Sequence, residues 1–173
     1  MIQNGNFADG TTHWHGDGRT PADLAADNPL ATPDPSLSKG MIIPLKATQW
    51  TKIAQDVNIK SPDAQLTITF QFSPGLTFSN KPDDYTGVPA HLGWGWKPFS
   101  GPPGAWMIDI TDSEGIHGTH GFVNPDPKAK PGAPETYRTN MSKLYTGSGT
   151  ALTLAFPPGT GTVTILSVSL VGK

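Results

Sequence analysis

The residues best suited to bind a ligand are concentrated in one aromatic-rich segment and the strand-like residues that follow it. These candidates are His91, Trp94, Trp96, Phe99, Trp106 and Asp109. Trp94 and Trp96 have the same parity, so in an extended strand both rings face one side. Aromatic rings are apolar platforms on which the C–H face of a sugar stacks. The segment is therefore a candidate carbohydrate-binding platform. The alternative is that the tryptophans pack in the core or against loops, because Trp is highly buried on average.

Two pairs of histidines are the candidate metal ligands. His13 and His15 would lie on one side of a strand, and His117 and His120 would lie in a turn. A zinc ion needs three or four ligands in close geometry. Neither pair brings a further ligand with it, so the spacing favours surface or hydrogen-bonded histidines and predicts no metal site.

The acidic residues that follow the aromatic segment are the candidate catalytic groups. Asp112 and Glu114 lie two residues apart in a predicted hairpin turn, whereas a glycosidase pair must face each other across a cleft. The sequence contains no Gly-x-Ser-x-Gly, His-Glu-x-x-His or phosphate-loop motif. These observations favour a chain that is not an enzyme. The alternative is a glycan-active enzyme. It requires five side chains to converge in a cleft: Asp109, Asp112, Glu114, His117 and His120.

Alternating apolar residues predict the strands that position these groups. Residues 66–72 read Leu-Thr-Ile-Thr-Phe-Gln-Phe, which places the apolar side chains on one face, and the same alternation recurs in 53–59, 106–110 and 151–156. In 163–170 the apolar parity switches between Ile165 and Leu166, as a β-bulge would produce. The pattern predicts an all-β, two-sheet antiparallel sandwich.

The composition agrees with this fold and restricts the partners. The 173 residues include 20 Gly and 18 Pro, which disfavour helices because Gly loses the most entropy on ordering and Pro lacks a donor N–H. The net charge of −2 shows no excess of positive charge that would point to nucleic acid as a partner. The chain has no cysteine, which excludes disulfides and thiolate sites. The apolar runs are too short to cross a bilayer, so no transmembrane segment is expected.

Long irregular stretches separate the predicted strands. Gly16–Gly40, Pro74–Ala90 and Asn124–Glu135 are rich in Pro, Asp and Gly. Loops of this length are often functional, and the alternative is that they cover sheet edges. The only helical signal is a turn or two over Thr20–Ala26, where Thr20 caps and Pro21 suits the first helical position. No linker divides the chain, so residues 1–173 are expected to form one domain.

Several motifs, in order along the chain, resemble those of one family. They are Asn4-Gly5-Asn6-Phe7 with Trp14, then Trp50–Val57 with Gln55, then Leu66–Phe72, and finally Thr162–Leu170. Their order and spacing are similar to those of galactose-binding-like jelly rolls, particularly bacterial carbohydrate-binding modules. The resemblance implies a jelly-roll sandwich with long loops and at most one short helix. It also implies a non-catalytic role in which a polysaccharide or other glycan is the partner. Phe7 and Trp14 are expected to fill one end of the core.

The resemblance also bears on cofactors, because members of the family often hold a structural calcium ion through acidic residues. These residues follow the first motif and lie in the closing strand. Here Ala8 stands where an acidic residue follows Phe, with Asp9 beside it, and Leu166-Ser167 replaces an acidic pair. Calcium prefers several oxygen ligands, usually including carboxylates. We therefore expect no bound calcium and no other cofactor; the alternative is that backbone carbonyls together with Asp9 hold a calcium ion.

The sequence supports three classes of function. A carbohydrate-binding module is favoured by the resemblance and the Trp-rich segment. A structural or protein–protein interaction domain of a secreted or envelope protein would use the same fold, since fold does not determine function. The glycan-active enzyme is the third class. The chain opens almost at once on a strand-like segment, as expected if a leader has been removed, so we expect a secreted, periplasmic or cell-envelope location. The oligomeric state stays open.

Overall fold

A computed structural model gives the fold of this chain. It describes residues 2–9, 13–14, 40–47, 51–59, 63–78, 106–111, 118–123, 126, 128–130, 132–141 and 149–172. Their strands are β1 (Met41–Pro44), β2 (Thr51–Ile59), β3 (Gln65–Phe72), β4 (Thr77–Phe78), β5 (Trp106–Thr111), β6 (Gly118–Val123), β7 (Glu135–Asn140), β8 (Gly149–Phe156), β9 (Gly159–Thr160) and β10 (Thr162–Val171). The helical turn expected over Thr20–Ala26 lies outside the described residues.

The longer strands form a jelly roll. They pair antiparallel as a nested series along the chain, with β1 on β10, β2 on β8, β3 on β7, and β5 on β6. Folding this ribbon on itself produces two four-stranded sheets, ordered β1-β10-β3-β7 and β2-β8-β5-β6. Eight strands nested in this way are the jelly-roll topology. The predicted all-β antiparallel sandwich is therefore confirmed.

The core lies between the two sheets, because a single buried cluster draws side chains from both. In β3 the alternation predicted from the sequence is observed, with Leu66, Ile68 and Phe70 buried. Leu152 and Leu154 of β8 belong to the same cluster from the opposite sheet. Each side chain of this size contributes about 1.5–3 kcal/mol when it is fully buried.

The closing strand β10 contains the predicted bulge. Its register against β3 shifts between Ile165 and Ser167, so Leu166 is the extra residue. Val163 and Ile165 before the shift and Val168 after it are all buried in the core. The bulge therefore allows apolar residues of both parities to face the same side of the sheet.

The amino-terminal segment joins the two sheets. The Gly5 carbonyl accepts a hydrogen bond from Val168 N–H at 2.7 Å, beyond the part of β10 that pairs with β1. On the other sheet, the Gln55 side chain of β2 makes two hydrogen bonds with the backbone of Gln3. A β-carbon on Gly5 would collide with the Val168 carbonyl oxygen, so this close approach requires glycine.

Phe7 and Trp14 belong to the buried core, as the sequence predicted. They are 1% and 3% exposed, and their ring centroids lie 5.2 Å apart. Trp14 Nε1 donates to the Asn4 carbonyl at 3.2 Å, so the buried indole N–H is paired. Within the described residues, none forms a helix long and apolar enough to span a membrane.

Candidate functional site

The sequence-predicted platform lies partly within and partly outside the described residues. Trp106 is the first residue of β5 and Asp109 lies in the middle of that strand. Strand β5 runs between β8 and β6 in its sheet. The other four predicted contacts, in the segment that joins β4 to β5, lie outside the described residues. They are His91, Trp94, Trp96 and Phe99.

The backbone register brings together two of the groups that a catalytic site would need. Asp109 is directly opposite His120 of β6 on one side and Thr153 of β8 on the other. Asp112, Glu114 and His117 lie outside the described residues. Among the residues that are described, no group of three or more His, Cys, Asp or Glu side chains is arranged to hold a metal ion.

Several connections meet at one end of the sandwich, which we call the loop end (residues 45–47, 73–78 and 157–161). The short strands β4 and β9 pair there, and the hydroxyl oxygens of Thr77 and Thr160 lie 2.8 Å apart. Gly159 N–H donates to the Lys46 carbonyl at 2.9 Å. A β-carbon at Gly159 would collide with the Thr77 carbonyl oxygen, so glycine allows the two connections to meet.

The turn after β3, which is part of the loop end, is held firmly against the start of β10. Ser73 N–H donates to the Thr162 carbonyl at 2.9 Å, and Thr162 N–H donates to Ser73 Oγ at 3.0 Å. The Ser73 carbonyl accepts from Leu76 N–H at 3.1 Å, which closes the turn. The backbone of 73–76 is therefore fixed against the start of β10.

A groove of about 210 Å³ lies between this turn and the segment that precedes β7, and we call it the rim groove. One wall consists of Phe72, Ser73, Gly75 and Leu76. The other wall consists of Asp126, Ala129, Lys130, Gly132, Ala133 and Glu135. The groove arises because β3 continues to Phe72, whereas its partner β7 pairs only as far as Glu135, opposite Phe70.

Phe72 is the aromatic residue of the rim-groove lining, and its side chain also packs against the core. Its side chain is half-buried, and its ring centroid lies 5.2 Å from that of Phe70 and 5.7 Å from that of Phe78. The contact with Phe78 is edge-to-face, with an interplanar angle of 86°. Two aromatic neighbours therefore hold the ring in place, and Leu76 extends the apolar surface beside it.

The opposite wall carries charged groups that the backbone holds in position. Asp126 N–H donates to Glu135 Oε2 at 2.7 Å, and Lys128 N–H donates to Asp126 Oδ1 at 2.8 Å. Each of these bonds engages one carboxylate oxygen, and the other oxygen can accept hydrogen bonds from a ligand. Lys130 adds an exposed ammonium donor. An apolar surface facing carboxylates and a cation suits a ligand that has both C–H faces and hydroxyl groups.

The rim-groove residues carry no individual signal in the sequence. Two of the long irregular stretches of the sequence do contribute to the groove, since Pro74–Ala90 begins at one wall and Asn124–Glu135 contains the other. The available signal was the length and composition of those stretches. Their convergence was not visible, because it depends on the pairing of β3 with β7.

Comparisons with known proteins relate the fold to carbohydrate-binding modules. No family model and no curated protein matches the chain. TmCBM61, solved in complex with β-1,4-galactotriose, is 12% identical with a TM-score of 0.53, and the match covers 99% of this chain and 97% of that one. A family 16 carbohydrate-binding module is 12% identical with a TM-score of 0.52, covering 99% of each chain. At this identity the likeness shows a shared fold.

An enzyme domain is a weaker match. The enzymatically active domain of tailspike protein 4 from bacteriophage CBA120 is 11% identical with a TM-score of 0.49 and matches over 21% of its own length. This likeness is too distant to bear on function.

Proposed function

We propose that this chain is a non-catalytic carbohydrate-binding module that acts outside the cytoplasm. The observation that supports this best is the rim groove, which sets the Phe72 ring and Leu76 opposite two backbone-held carboxylates and an ammonium group. Sugars present C–H faces to aromatic rings and hydroxyls to charged acceptors and donors. The jelly-roll fold shared with carbohydrate-binding modules agrees with the proposal.

The Trp-rich segment extends the proposed surface. In sequence it follows Phe78, whose ring packs against the groove residue Phe72, and it precedes Trp106, the first residue of β5. One end of the segment is therefore anchored next to the rim groove. We propose that Trp94 and Trp96 contact the same glycan, together with His91, Phe99, Trp106 and Asp109.

Affinity electrophoresis on neutral polysaccharides tests this function. The panel is soluble β-1,4-galactan, hydroxyethylcellulose, mannan and xylan. Lys130→Ala removes a donor from the groove wall, and Lys128→Ala is its matched control, since Lys128 is exposed in the same segment but does not line the groove. We expect retardation of the native chain on at least one polysaccharide. Lys130→Ala should weaken that binding by about tenfold, as loss of a charge-assisted hydrogen bond implies, and Lys128→Ala should leave it unchanged.

Two results would contradict the proposal. One is that no polysaccharide in the panel retards the native chain. The other is that the two lysine substitutions weaken binding equally, which would place the ligand elsewhere.

A glycan-active enzyme is the second candidate, and the direct pairing of Asp109 with His120 favours it. Long incubation with the same polysaccharides, followed by measurement of new reducing ends, separates the two functions. Binding without release of reducing ends supports the binding module. Release that Asp109→Asn abolishes would support the enzyme instead.

The interaction-domain alternative predicts an exposed apolar patch. Across the described part of the chain, Val171 is the exposed large hydrophobic residue, at 63%. A lone apolar side chain of this kind is ordinary for a protein surface. The described surface therefore offers less support for a protein partner than for a glycan.

A further inference from the structure

We propose that Asn4 is a site of spontaneous deamidation, and that its isoaspartyl product cannot restore the attachment of the amino-terminal segment to the sandwich. The proposal does not depend on carbohydrate binding. It follows from the residue after Asn4, from the hydrogen bonds that hold the segment on both sides of it, and from the change that the reaction makes in the main chain.

The Asn4-Gly5 pair has the chemistry that deamidation needs, and it is the one Asn-Gly pair in the sequence. The backbone nitrogen of Gly5, after losing its proton to base, attacks Cγ of Asn4. The Cγ–Nδ2 bond breaks, ammonia leaves and a five-membered succinimide forms. Glycine has no β-carbon to hinder this approach or to restrict the backbone rotation that it needs. Asn4 is half-buried, so water and hydroxide can reach its side chain.

In the folded chain, hydrogen bonds hold the main chain immediately before and after Asn4. Gln3 is bonded to the Gln55 side chain through both its N–H and its carbonyl. On the other side, the Gly5 carbonyl accepts from Val168 N–H at 2.7 Å. Ring closure requires rotation about the Cα–C bond of Asn4, and these bonds restrict that rotation. We therefore expect the reaction to proceed when the segment opens locally.

Hydrogen bonds to Asn4 itself add to this restraint. Its side-chain oxygen accepts from Asp9 N–H at 3.1 Å, and its carbonyl accepts from Phe7 N–H at 3.1 Å and from Trp14 Nε1 at 3.2 Å. Its φ of 46° lies in the left-handed region, which asparagine adopts more readily than most residues. The side chain and the peptide group that must react are therefore both held in the native conformation.

Hydrolysis of the succinimide gives two products with different main chains. Water that adds at Cγ gives aspartate with the original main chain. Water that adds at the other carbonyl gives isoaspartate, whose main chain runs through Cβ and Cγ and is longer by one atom. The former Asn4 carbonyl then belongs to a side-chain carboxylate, so the acceptor shared by Phe7 N–H and Trp14 Nε1 is displaced. The spacing between the attachments at Gln3 and Gly5 also changes, so the native bonds cannot all re-form.

Peptide mapping of the chain after incubation at mildly alkaline pH tests the reaction. Trypsin releases residues 1–19, which contain Asn4. The native chain is compared in buffer and in a urea concentration that unfolds it, and Gln55→Leu is compared in buffer. We expect isoaspartate at position 4 to form at least about tenfold faster in urea than in buffer, and faster in Gln55→Leu than in the native chain. Asn140, which precedes the bulky Met141, is the internal control and should react far more slowly in urea.

Three results of the mapping would overturn the proposal. One is that Asn4 does not react even in urea, and the second is that it reacts equally fast in urea and in buffer. The third is that Gln55→Leu reacts no faster than the native chain, since the bonds to Gln3 would then not protect the site.

Thermal unfolding of the aged protein tests the consequence of the reaction. Ion-exchange chromatography isolates the deamidated chain, and the peptide map gives its isoaspartyl share. We expect the Tm of the isoaspartyl form to fall by several degrees. Asn4→Asp keeps the main chain and an acceptor oxygen for Asp9 N–H, so its Tm should stay close to the native value. A native Tm for the isoaspartyl form would overturn the proposal. An equal fall in Asn4→Asp would also overturn it, because the added charge rather than the longer main chain would be the cause.

Discussion

Substitution of Gln55 tests how the amino-terminal segment is attached to the sandwich. Its side chain is 2% exposed, and its amide exchanges two hydrogen bonds with the backbone of Gln3. Gln3 N–H donates to Gln55 Oε1 at 2.7 Å, and Gln55 Nε2 donates to the Gln3 carbonyl at 2.8 Å. The side-chain amide therefore satisfies both polar groups of the Gln3 backbone and ties the amino-terminal segment to β2, and we expect its loss to destabilise the sandwich.

Gln55→Leu keeps most of the side-chain volume and removes both hydrogen bonds. Each bond contributes about 1 kcal/mol net, and each partly buried backbone group left without a partner costs about 1–3 kcal/mol. Because the segment can move to expose those groups to water, we expect a total loss of about 2–4 kcal/mol. For a domain of this size the corresponding fall in Tm is about 4–16 °C.

Gln55→Glu should also destabilise the chain, and here the loss of stability depends on pH. Its carboxylate would be buried against the Gln3 carbonyl, so the pKa of Glu at this position is raised above that of the unfolded chain. A raised carboxyl pKa leaves stability unaffected below the unfolded value of about 4.3, and the penalty grows as the pH rises through the folded pKa. The variant should therefore be close to the native chain at pH 4 and clearly less stable at pH 7.

Urea unfolding followed by tryptophan fluorescence measures both effects. Gln65→Glu is the matched control, because Gln65 of β3 is exposed and should accept a charge at little cost. If Gln55→Leu unfolds at the same urea concentration as the native chain, the amino-terminal segment does not stabilise the sandwich. If Gln55→Glu and Gln65→Glu lose equal stability at pH 7, burial of the Gln55 amide is refuted.

Three further predictions concern stability. Gly5→Ala should lower the free energy of unfolding by about 2–4 kcal/mol, because the added methyl group overpacks against the Val168 carbonyl and disturbs the hydrogen bond beside it. The control Gly172→Ala has open space around it and should change the free energy of unfolding by less than about 0.5 kcal/mol. Leu66→Ala should cost about 2–5 kcal/mol, and Thr67→Ala on the opposite face less than about 1 kcal/mol, both by urea unfolding. Chelation of calcium by EDTA should leave Tm unchanged, since a calcium ion present at 100 times its Kd would add about 2.7 kcal/mol, or about 5–11 °C.

Each of these predictions has a clear contrary result. If the two glycine variants are equally stable, the amino-terminal segment does not approach β10 closely at Gly5. A larger loss for Thr67→Ala than for Leu66→Ala would reverse the assignment of the two faces of β3. A fall of several degrees in Tm on chelation, restored by added calcium, would show that the chain keeps a calcium site despite Ala8 and Leu166.

The sequence was sufficient to predict elements whose signal is local. The period-2 alternation of residues 66–72 predicted the face that β3 buries, because alternate side chains of a strand point to opposite sides. The parity switch after Ile165 predicted the bulge in β10 for the same reason. Phe7 and Trp14 were expected in the core because large aromatic residues near a first strand usually fill the end of a sandwich.

The rim groove could not be predicted from the sequence, since its walls are distant along the chain. Phe72 and Leu76 meet Asp126 and Lys130 only because β3 pairs with β7 and then extends beyond it. The two-residue strands β4 and β9 at the same end have no periodicity to detect. Non-local pairing of this kind leaves no pattern within either segment, so only the length of the loops pointed to this end of the molecule.

The most direct test of the proposed function is a crystal structure of the chain with the oligosaccharide that binds best in the polysaccharide panel. The proposed function predicts a sugar ring in the rim groove, with its C–H face on Phe72 and its hydroxyl groups at Asp126, Lys130 and Glu135. A bound oligosaccharide that occupies a different surface, with the groove free of sugar, would contradict it.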